Sequence, residues 1–459
     1  LDGDDDENIL IANNEISCWG RYAINLEDVN GVEITGNEIY NPTNYGSGFR
    51  YAIYYYNNFN SAGSDDQNLV NDNYIHDINQ SNYTGTTYGI GWFSYYSESA
   101  VAVVNNIIDI QGNGTIYGMY LYGSFNGYGT RGVKAALNNT LNIGGSGGST
   151  FSTVAGIYGF NLDAAPLANN IIVMERQTAA RTFGIYYPSG GIPSYNNIWF
   201  NNGTNVTNER YVAQNFNNNG PGTVAEFIAA FPNSLSTNPL FADVANDDYT
   251  PSSIPMANGA LSIAGLTTDY AGATRNATTP DIGALEYFVD IEVVSVDMVA
   301  TSECAPFTEA VVVTIKNNGT ASVADVPMQY SINGGTPVKE TVTATITAGG
   351  TFQFTFATET ELYGTEVHEF VVSVDGEDDL PSNSSGTHTI NTTQSPTGGD
   401  LAEGALFDGY FRDGSMGNPD ATVFSYVSEY DIADPAVATN YSYTLTATTM
   451  GGADVTSSG

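Results

Sequence analysis

The sequence predicts an all-β protein in which a parallel β-helix is followed by an immunoglobulin-like β-sandwich. Two phrases that recur in phase over residues 13–199 predict the β-helix, because repeats of this length are typical of solenoids. One phrase has four residues: a pair that ends in Asn, then any residue, then Ile, Leu or Trp, as in Asn13-Asn14-Glu15-Ile16. The other is Tyr-Ala-Ile or a close variant. A third pattern, short alternating strands separated by turns from Val289 onward, predicts the sandwich.

The pair predicts one corner of the coil. Because a regular solenoid turn needs less chain than most of the intervals between pairs, the excess should leave the coil as loops. Asn tolerates the left-handed or bridging backbone of a tight corner, and stacked amides can hydrogen-bond from turn to turn. The short segments rich in Val, Ile and Tyr argue against a helical-repeat solenoid. We therefore predict a structural Asn ladder of Asn14, Asn37, Asn73, Asn106, Asn139, Asn170 and Asn197.

The second phrase predicts an aromatic face. Side chains alternate along a strand, so if Ile53, Ile90 and their equivalents point inward, their neighbours point outward. The preceding neighbours are small, as at Ala52 and Gly89. Outward rings can stack on the C–H faces of sugars, so we predict a ligand-binding band beside a floor of small residues. The alternatives are that the inter-rung loops cover these rings, or that the rings form a purely stabilising ladder. The predicted ligand-binding residues are Tyr54, Tyr56, Phe93, Tyr120, Tyr122, Tyr158, Phe160 and Tyr186.

Residues 201–288 should close the coil. Thr223 and Glu226 form a capping-box pattern, which predicts a short helix with Phe227, Ile228 and Phe231 on its apolar side. Three later phrases are Asn-Pro-Leu-Phe from residue 238, Asp-Tyr-Ala-Gly-Ala-Thr-Arg from residue 269 and Asp-Ile-Gly-Ala-Leu-Glu-Tyr from residue 281. Together they resemble the C-terminal end of right-handed parallel β-helix surface proteins of the Bacteroidetes. The resemblance covers roughly residues 7–287 and implies a right-handed coil over residues 1–288; the signature itself assigns no chemistry.

The part after Val289 is predicted to contain strands over 290–297, 310–316, 327–332, 341–347, 352–356 and 366–374. The phrases Val-Thr-Ile-Lys-Asn-Asn-Gly-Thr from residue 313 and Tyr-Ser-Ile-Asn-Gly-Gly-Thr-Pro from residue 330 resemble adhesion-related immunoglobulin-like domains of large exported flavobacterial proteins. This resemblance covers residues 290–395 and implies export by the type IX secretion machinery to the bacterial cell surface. We predict a sandwich over 289–395, then a linker and the start of a further β domain over 396–459, within a longer polypeptide.

Charge limits the partners of this protein. The 459 residues include 11 Lys and Arg against 50 Asp and Glu, which gives a formal net charge of −39. Nucleic acids and anionic membranes are recognised through clustered basic residues, so neither is an expected partner. No apolar run approaches the length of a membrane span, and direct membrane insertion is not expected. The expected partner is a glycan or a cell-surface component.

Two small groups of residues could carry catalysis. Arg131 and Lys134 could serve a polysaccharide lyase, although ordinary solvated loop cations are the simpler interpretation. Asp65 and Asp66 could supply the paired carboxylates of a glycoside hydrolase. Adjacent Asp residues in a loop of Ser, Gly and Asn are, however, typical of turns. A polysaccharide-degrading enzyme is therefore the rival of a binding protein.

The sequence as a whole favours a non-enzymatic, extracellular, adhesin-like protein that contacts its partner through the β-helix face. The immunoglobulin-like part would act as a spacer. A structural stalk or filament segment is the third alternative. No cofactor is expected, but calcium could bind the oxygen-rich N-terminal segment that contains Asp2, Asp4 and Asp6; an acidic linker is the other interpretation of this segment.

Overall fold

The computed structural model describes residues 7–43, 48–57, 68–78, 83–94, 101–123, 133–145, 153–160, 166–175, 181–186, 192–200, 209–214, 223–231, 233–300, 307–362, 367–376, 378–391, 421–427, 444–449 and 454–458. The strands are numbered in chain order. The predicted catalytic residues Arg131, Asp65 and Asp66 and the predicted calcium ligands Asp2, Asp4 and Asp6 lie outside the described residues.

Three parallel sheets of seven strands form the N-terminal part of the protein. The first sheet contains β1 (Glu7–Ala12), β4 (Asn30–Thr35), β7 (Asn68–Asn71), β10 (Val101–Val104), β13 (Val133–Leu137), β16 (Pro166–Ala168) and β19 (Ile192–Ser194). The second contains β2 (Glu15–Ile16), β5 (Glu38–Ile39), β8 (Tyr74–Ile75), β11 (Ile107–Gln111), β14 (Thr140–Gly144), β17 (Ile171–Met174) and β20 (Asn197–Phe200). The third contains β3 (Tyr22–Glu27), β6 (Phe49–Asn57), β9 (Thr86–Ser94), β12 (Thr115–Gly123), β15 (Thr153–Phe160), β18 (Arg181–Tyr186) and β21 (Glu209–Gln214).

The chain visits the three sheets in the same cyclic order seven times, and each visit adds a strand beside the previous one. We call one passage through the three sheets a rung, and the seven rungs together the coil. Parallel sheets visited in this order are consistent with the β-helix that the repeats predict. Equivalent repeat positions pair directly, as Ile24 does with Ile53 and Ile53 with Ile90.

The interior of the coil is filled by rows of aliphatic side chains, one from each rung. β-Branched residues fit the pleated surface of a strand, and burying each Ile or Val side chain contributes about 1.5–3 kcal/mol. Residues from all three sheets join in one cluster, which includes Ile34, Ile39, Ile53, Ile90, Ile108, Ile143 and Ile157. This shared core holds the three sheets together.

A cap follows the coil. Helix α1 (Val224–Ala230) begins with the predicted capping box between Thr223 and Glu226 and buries Phe227. Ile228 was predicted on the apolar side, but it is 44% exposed because the short helix buries a narrow stripe. Two short 3-10 helices follow, at Val244–Asn246 and Ile254–Met256.

The cap packs on the outside of the first and second sheets. Met256 and Ile282 contact Ile171 and Val173 of the second sheet. Ile263 and Leu266 pack against the first sheet, where they join Val104, Ala135, Leu137 and Ala168. Among the described residues, none of the clusters between cap and coil includes a side chain from the outer face of the third sheet.

Two antiparallel sheets follow the cap. One contains β22 (Ile291–Ala300), β23 (Phe307–Asn317), β26 (Thr351–Thr355) and β27 (Thr360–Leu362); the other contains β25 (Val338–Val342), β24 (Val326–Ile332), β28 (Val367–Val374) and β29 (Ser385–Asn391). Val313, Ile315, Met328 and Phe370 bring both sheets into one core. The strand predicted at 341–347 is wrong by several residues. β25 ends at Val342, where it still pairs with Val326 of β24. The polar strand β29 has no strong alternating pattern and was missed.

The cap and this two-sheet unit share their hydrophobic core. Ile254, Ala257 and Tyr287 of the cap belong to the same cluster as the side chains between the two sheets. The Asp379 carboxylate accepts hydrogen bonds from the Val289 N–H at 2.8 Å and from Asn258 Nδ2 at 3.2 Å. The junction is therefore packed and hydrogen-bonded.

Three further strands, β30 (Ala421–Val427), β31 (Thr444–Thr449) and β32 (Asp454–Ser458), form a separate antiparallel sheet. Helices are short throughout the part of the chain that the structure describes, and none has the length and apolar character needed to cross a bilayer.

Candidate functional site

The outer face of the third sheet carries aromatic side chains that repeat from rung to rung. The interior row opposite to it consists of Ile24, Ile53, Ile90, Met119, Ile157 and Ile185, all of which are buried as expected. All eight predicted ligand-binding residues lie on the outer face and are partly exposed. One column contains Tyr54, Tyr120, Tyr158 and Tyr186, and a parallel column contains Tyr56, Phe93, Tyr122 and Phe160. We call the outer surface of the third sheet the aromatic face.

A further aromatic column was missed from the sequence. It contains Tyr22, Tyr51, Tyr88, Tyr117 and Phe183, with Ala155 at the equivalent position between Tyr117 and Phe183. In strand order we call this column the first, the column of Tyr54 the second and the column of Tyr56 the third. Tyr51 stacks on Tyr88 with ring centroids 4.3 Å apart and contacts the second column through Tyr54 at 4.7 Å. The Tyr of the repeated Tyr-Gly-Ile phrase was itself the signal for this column.

Strict alternation placed the small residues after these tyrosines on the outer face, and that placement is wrong. A Cβ atom on Gly89 would contact the interior side chains of Ile108 and Ile110, and one on Gly118 would meet Leu141 and Ile143. Ala52 is fully buried. The small residue and the Ile after it both face inward, because the strand is locally irregular there and its neighbours skip that position in the register. The small residues let the second and third sheets approach closely.

The rings stack along each column with their faces toward one another. Tyr120 and Tyr158 have centroids 5.0 Å apart and planes 10° apart, and Tyr158 and Tyr186 lie 4.4 Å and 19° apart. In the third column Tyr122 and Phe160 are 5.2 Å and 7° apart. Ring faces within a column are thus covered by the next ring. A sugar cannot lie flat on these covered faces as the sequence suggested; ring edges and hydroxyl groups remain for contact.

Neighbouring columns meet edge to face. The Tyr120 ring is turned 82° from Tyr88 and 80° from Tyr117, at 5.6 and 5.1 Å. Edge-to-face and offset-stacked pairs each add about 0.5–1.5 kcal/mol beyond the burial of their area. The columns therefore form a two-dimensional lattice, in which rings such as Tyr88 and Tyr120 each contact several others.

From Tyr54 to Tyr186, Gly91 is the one position of the second column that has no ring. A Cβ atom there would lie 2.7 Å from Tyr51 Cδ1 and 3.3 Å from Phe93 Cε2. The rings of the adjacent columns lean into this space. The glycine is required by the close approach of these rings.

Five phenol groups of the aromatic face have raised pKa values. Burial raises the pKa of Tyr51 and of Tyr117 to about 12. Burial also raises the pKa values of Tyr54, Tyr88 and Tyr158, and neighbouring tyrosines add to the effect. These five hydroxyls therefore keep their protons near neutral pH and can both donate and accept a hydrogen bond.

Charged groups lie at the margins of the face. Glu27 ends the third column in the first rung. Arg21 lies with Cζ 5.0 Å from the centroid of the Tyr22 ring. Arg50, at the repeat position of Arg21, is buried, stacks on the Tyr83 ring at 4.1 Å and donates to the Thr43 carbonyl at 3.0 Å. Arg50 therefore supports the fold from inside, and the centre of the face carries no charge among the described residues.

A column of threonines borders the first aromatic column. Thr86, Thr115 and Thr153 occupy equivalent positions two residues before Tyr88, Tyr117 and Ala155, and all three are partly exposed. The column ends at the exposed residues Phe49 and Arg181. The aromatic face thus offers aliphatic hydroxyls on one side and phenol hydroxyls beside them.

The predicted Asn ladder lies at the corner between the first and second sheets. Asn106 donates from Nδ2 to Asn139 Oδ1 at 3.0 Å, and Asn139 donates to Asn170 Oδ1 at the same distance. The backbone N–H of each donor residue binds the same oxygen. This pattern runs without interruption through Asn14, Asn37, Asn73, Asn106, Asn139 and Asn170. The amides hold successive rungs in register.

The seventh member of the ladder is Asn196, and the prediction of Asn197 is wrong. Asn170 donates to Asn196 Oδ1 at 2.9 Å, whereas Asn197 exchanges hydrogen bonds with the backbone of Thr237 in the cap. The last pair is shifted by one residue because Tyr195 takes the left-handed conformation, with φ of 51°. The left-handed position was also misplaced. It is not the ladder residue but the one before it, at Asn13, Gly36, Asp72, Asn105, Asn138, Asn169 and Tyr195.

The left-handed residues of three rungs bind the cap. Asn105 donates to the Thr268 carbonyl at 2.9 Å, and Asn138 donates to the Gly283 carbonyl at 3.4 Å. Asn169 donates to the Leu261 carbonyl and accepts from the Leu261 N–H, both at 2.8 Å. Arg275 of the cap is buried, pairs with Glu286 at 3.1 Å and donates to Asn105 Oδ1. The first residue of the pair thus attaches the cap, and the second joins the rungs.

Buried polar groups also occur where the cap covers the second sheet. Asp109 accepts hydrogen bonds from Gln111 at 2.8 Å and from Asn142 at 3.0 Å, and burial raises its pKa. His76 lies with Nε2 3.0 Å from a carboxylate oxygen of Glu38. These groups are engaged within the fold beneath the cap, which suits a structural role.

The side chains of the predicted catalytic and metal-binding residues lie outside the part of the chain that the structure describes. Lys134 lies in β13, but its side chain is not among those described. Within the described ranges, no three His, Cys, Asp or Glu side chains are grouped so that they could hold a metal ion.

Fold and site together define an all-β protein in which three parallel sheets, closed by a cap, are joined to a two-sheet antiparallel unit. No known family model matches the chain, and no curated protein matches it. Among solved structures, the chain is similar to the CARDB domain of a Pyrococcus furiosus protein, determined by solution NMR. The two are 17% identical with a TM-score of 0.18, and the match covers 23% of this chain and 94% of that one.

Proposed function

We propose that this protein is a non-enzymatic, adhesin-like binding protein of the bacterial cell surface and that the aromatic face is its contact surface. The observation that carries the proposal is the lattice of partly exposed rings on the third sheet, whose outer face contributes no side chain to the described clusters between cap and coil. Contiguous aromatic surface of this kind marks binding sites on soluble proteins. A glycan or another surface component is the partner.

The proposal includes a right-handed parallel β-helix and an immunoglobulin-like domain that holds the coil away from its anchor. The cyclic order of the parallel sheets and the shared core of the two antiparallel sheets support these assignments. Export through the type IX secretion machinery of a Bacteroidetes bacterium is supported by the sequence resemblances of the cap and of the two-sheet unit.

The test compares binding of the full chain and its variants to a panel of polysaccharides and isolated cell envelopes. The Tyr120→Ser/Tyr158→Ser variant removes two rings from the centre of the face and should lower binding at least tenfold. Tyr40→Ser is the matched control, because Tyr40 stacks on His76 over the second sheet, away from the aromatic face. Circular dichroism spectra identical to the parent establish that each variant is folded.

Three outcomes would contradict the proposal. Unchanged binding by the double variant would move the site elsewhere. Release of new reducing or unsaturated ends from a polysaccharide would favour a hydrolase or lyase. Binding to none of the panel would favour a structural stalk.

A further inference from the structure

We propose that the aromatic face binds a neutral, extended polysaccharide whose chain runs along the coil axis and is recognised through hydroxyl groups and ring edges. This inference rests on the proposed function and names its ligand class. Three properties of the face carry it: its periodicity, its hydroxyl groups and its lack of central charge.

The periodicity favours a polymer with a short repeat. Equivalent rings in neighbouring rungs lie one strand spacing apart, roughly 4.8 Å, so the same contact recurs along the axis. From Tyr54 to Tyr186 the second column spans four such steps, about 19 Å. A polymer of identical units can make the same weak contact at each step, and linked contacts of this kind multiply into avidity. A globular partner gains nothing from such repetition.

The ring orientation selects the kind of contact. Stacking along the columns hides the faces of Tyr120, Tyr158 and Tyr186 and directs the ring edges outward. Their hydroxyls and those of Thr115 and Thr153 belong to two columns on either side of the first aromatic column, and both columns run along the axis. Sugar hydroxyls are the matching partners, because both groups donate and accept.

Charge narrows the class of polysaccharide. The whole protein carries a formal charge of −39, which repels a polyanion at long range. Among the described residues, the cations of the face lie at its margins, with Arg21 against Tyr22 and the exposed Arg181 at the end of the threonine column. The described centre of the face has none to compensate. An uncharged polymer approaches without this repulsion and loses no counterions on binding.

The experiment uses the full chain with a neutral β-linked glucan, its oligomers of increasing length and a uronate polymer of similar length. Affinity should rise with oligomer length until the oligomer spans the column, and the uronate polymer should bind at least tenfold more weakly than the glucan. The Tyr120→Phe/Tyr158→Phe/Tyr186→Phe variant keeps the stacked rings and removes three hydroxyls. We expect it to lose at least tenfold in affinity, with Tyr40→Phe as the control that loses none.

The outcomes separate this inference from the proposed function. If the Phe variant binds like the parent while the Tyr120→Ser/Tyr158→Ser variant does not, the face is the site but recognition through hydroxyls is wrong. If the uronate polymer binds as well as the glucan, or if affinity does not depend on oligomer length, the ligand class is wrong. If neither variant changes binding, the proposed function itself fails.

Discussion

The Asn ladder makes the most direct prediction about the stability of the coil. Asn106 lies at the centre of the ladder and is fully buried. Its Oδ1 atom accepts the Asn73 N–H at 3.1 Å and Asn73 Nδ2 at 2.9 Å. The Asn106→Ala substitution removes this acceptor, and a buried backbone donor then has no partner.

The expected cost follows from which groups lose their partners. The Asn73 N–H loses its acceptor, and an unsatisfied buried group costs about 1–3 kcal/mol. The side-chain amide of Asn73 still donates to the Asn71 carbonyl at 3.0 Å, so it loses only part of its hydrogen bonding. With the hydrogen bonds that Asn106 itself donates, the free energy of unfolding should fall by about 2–4 kcal/mol.

Asn14→Ala is the matched control because Asn14 is the exposed end of the same ladder. Water can replace the lost contacts there, so the change should be within about 0.5 kcal/mol. The assay is urea unfolding followed by far-ultraviolet circular dichroism, with hydrogen exchange of the Asn73 backbone N–H as a local readout. Equal losses of unfolding free energy in the two variants would refute the role of the buried ladder, as would unchanged protection of the Asn73 backbone N–H in Asn106→Ala.

Two further predictions concern pH and packing. Burial raises the pKa values of Asp72, Asp109 and Glu175 above the ordinary 3.8 and 4.5, so these carboxyl groups hold their protons more tightly in the folded chain. The stability that they contribute is complete below the ordinary pKa values and is lost as the pH rises through the pKa values of the folded chain. The melting temperature should therefore rise as pH falls from neutral toward these ordinary carboxyl pKa values, less steeply in Asp109→Asn, and a flat or opposite profile would contradict this. Gly91→Ala should displace Tyr51, lower the free energy of unfolding by about 1–3 kcal/mol through overpacking and change the near-ultraviolet circular dichroism of the tyrosines. Gly48→Ala is the control, because a Cβ atom there meets open space, and it should change neither quantity. Equal effects of the two substitutions would show that the rings do not need Gly91.

The repeats were sufficient to predict parallel strands and the ladder, because equivalent positions in successive rungs carry the same residue types and pack in the same way. Prediction failed where one rung departs from the others. At the seventh pair, Tyr195 takes the left-handed position that Asn or Gly occupies in most other rungs, and the ladder moves to Asn196. Spacing within one phrase does not reveal such a shift; the backbone conformation decides it.

The aromatic face was predicted in part for a related reason. Strict alternation found the columns that follow the Ile of each phrase, where the strand is regular. It failed before that Ile, because Gly89 and Gly118 face inward together with the residues that follow them. This inward orientation follows from the close contact of the second and third sheets, which the sequence pattern does not reveal. The ring stacking was likewise beyond the sequence, since it depends on side-chain orientation between rungs.

The two residues of the Asn pair have different roles, and among the described residues neither attaches the cap to the outer face of the third sheet. The second residue of the pair joins the rungs, and the first, as at Asn138 and Asn169, holds the cap against the first and second sheets. On the third sheet each ring is fixed by its neighbours, so its side chain has little conformational entropy left to lose when a partner binds. The same stacking that hides the ring faces therefore presents the hydroxyls of Tyr120 and Tyr158 at fixed spacing. A preorganised surface of this kind can bind a regular polymer through contacts that are individually weak.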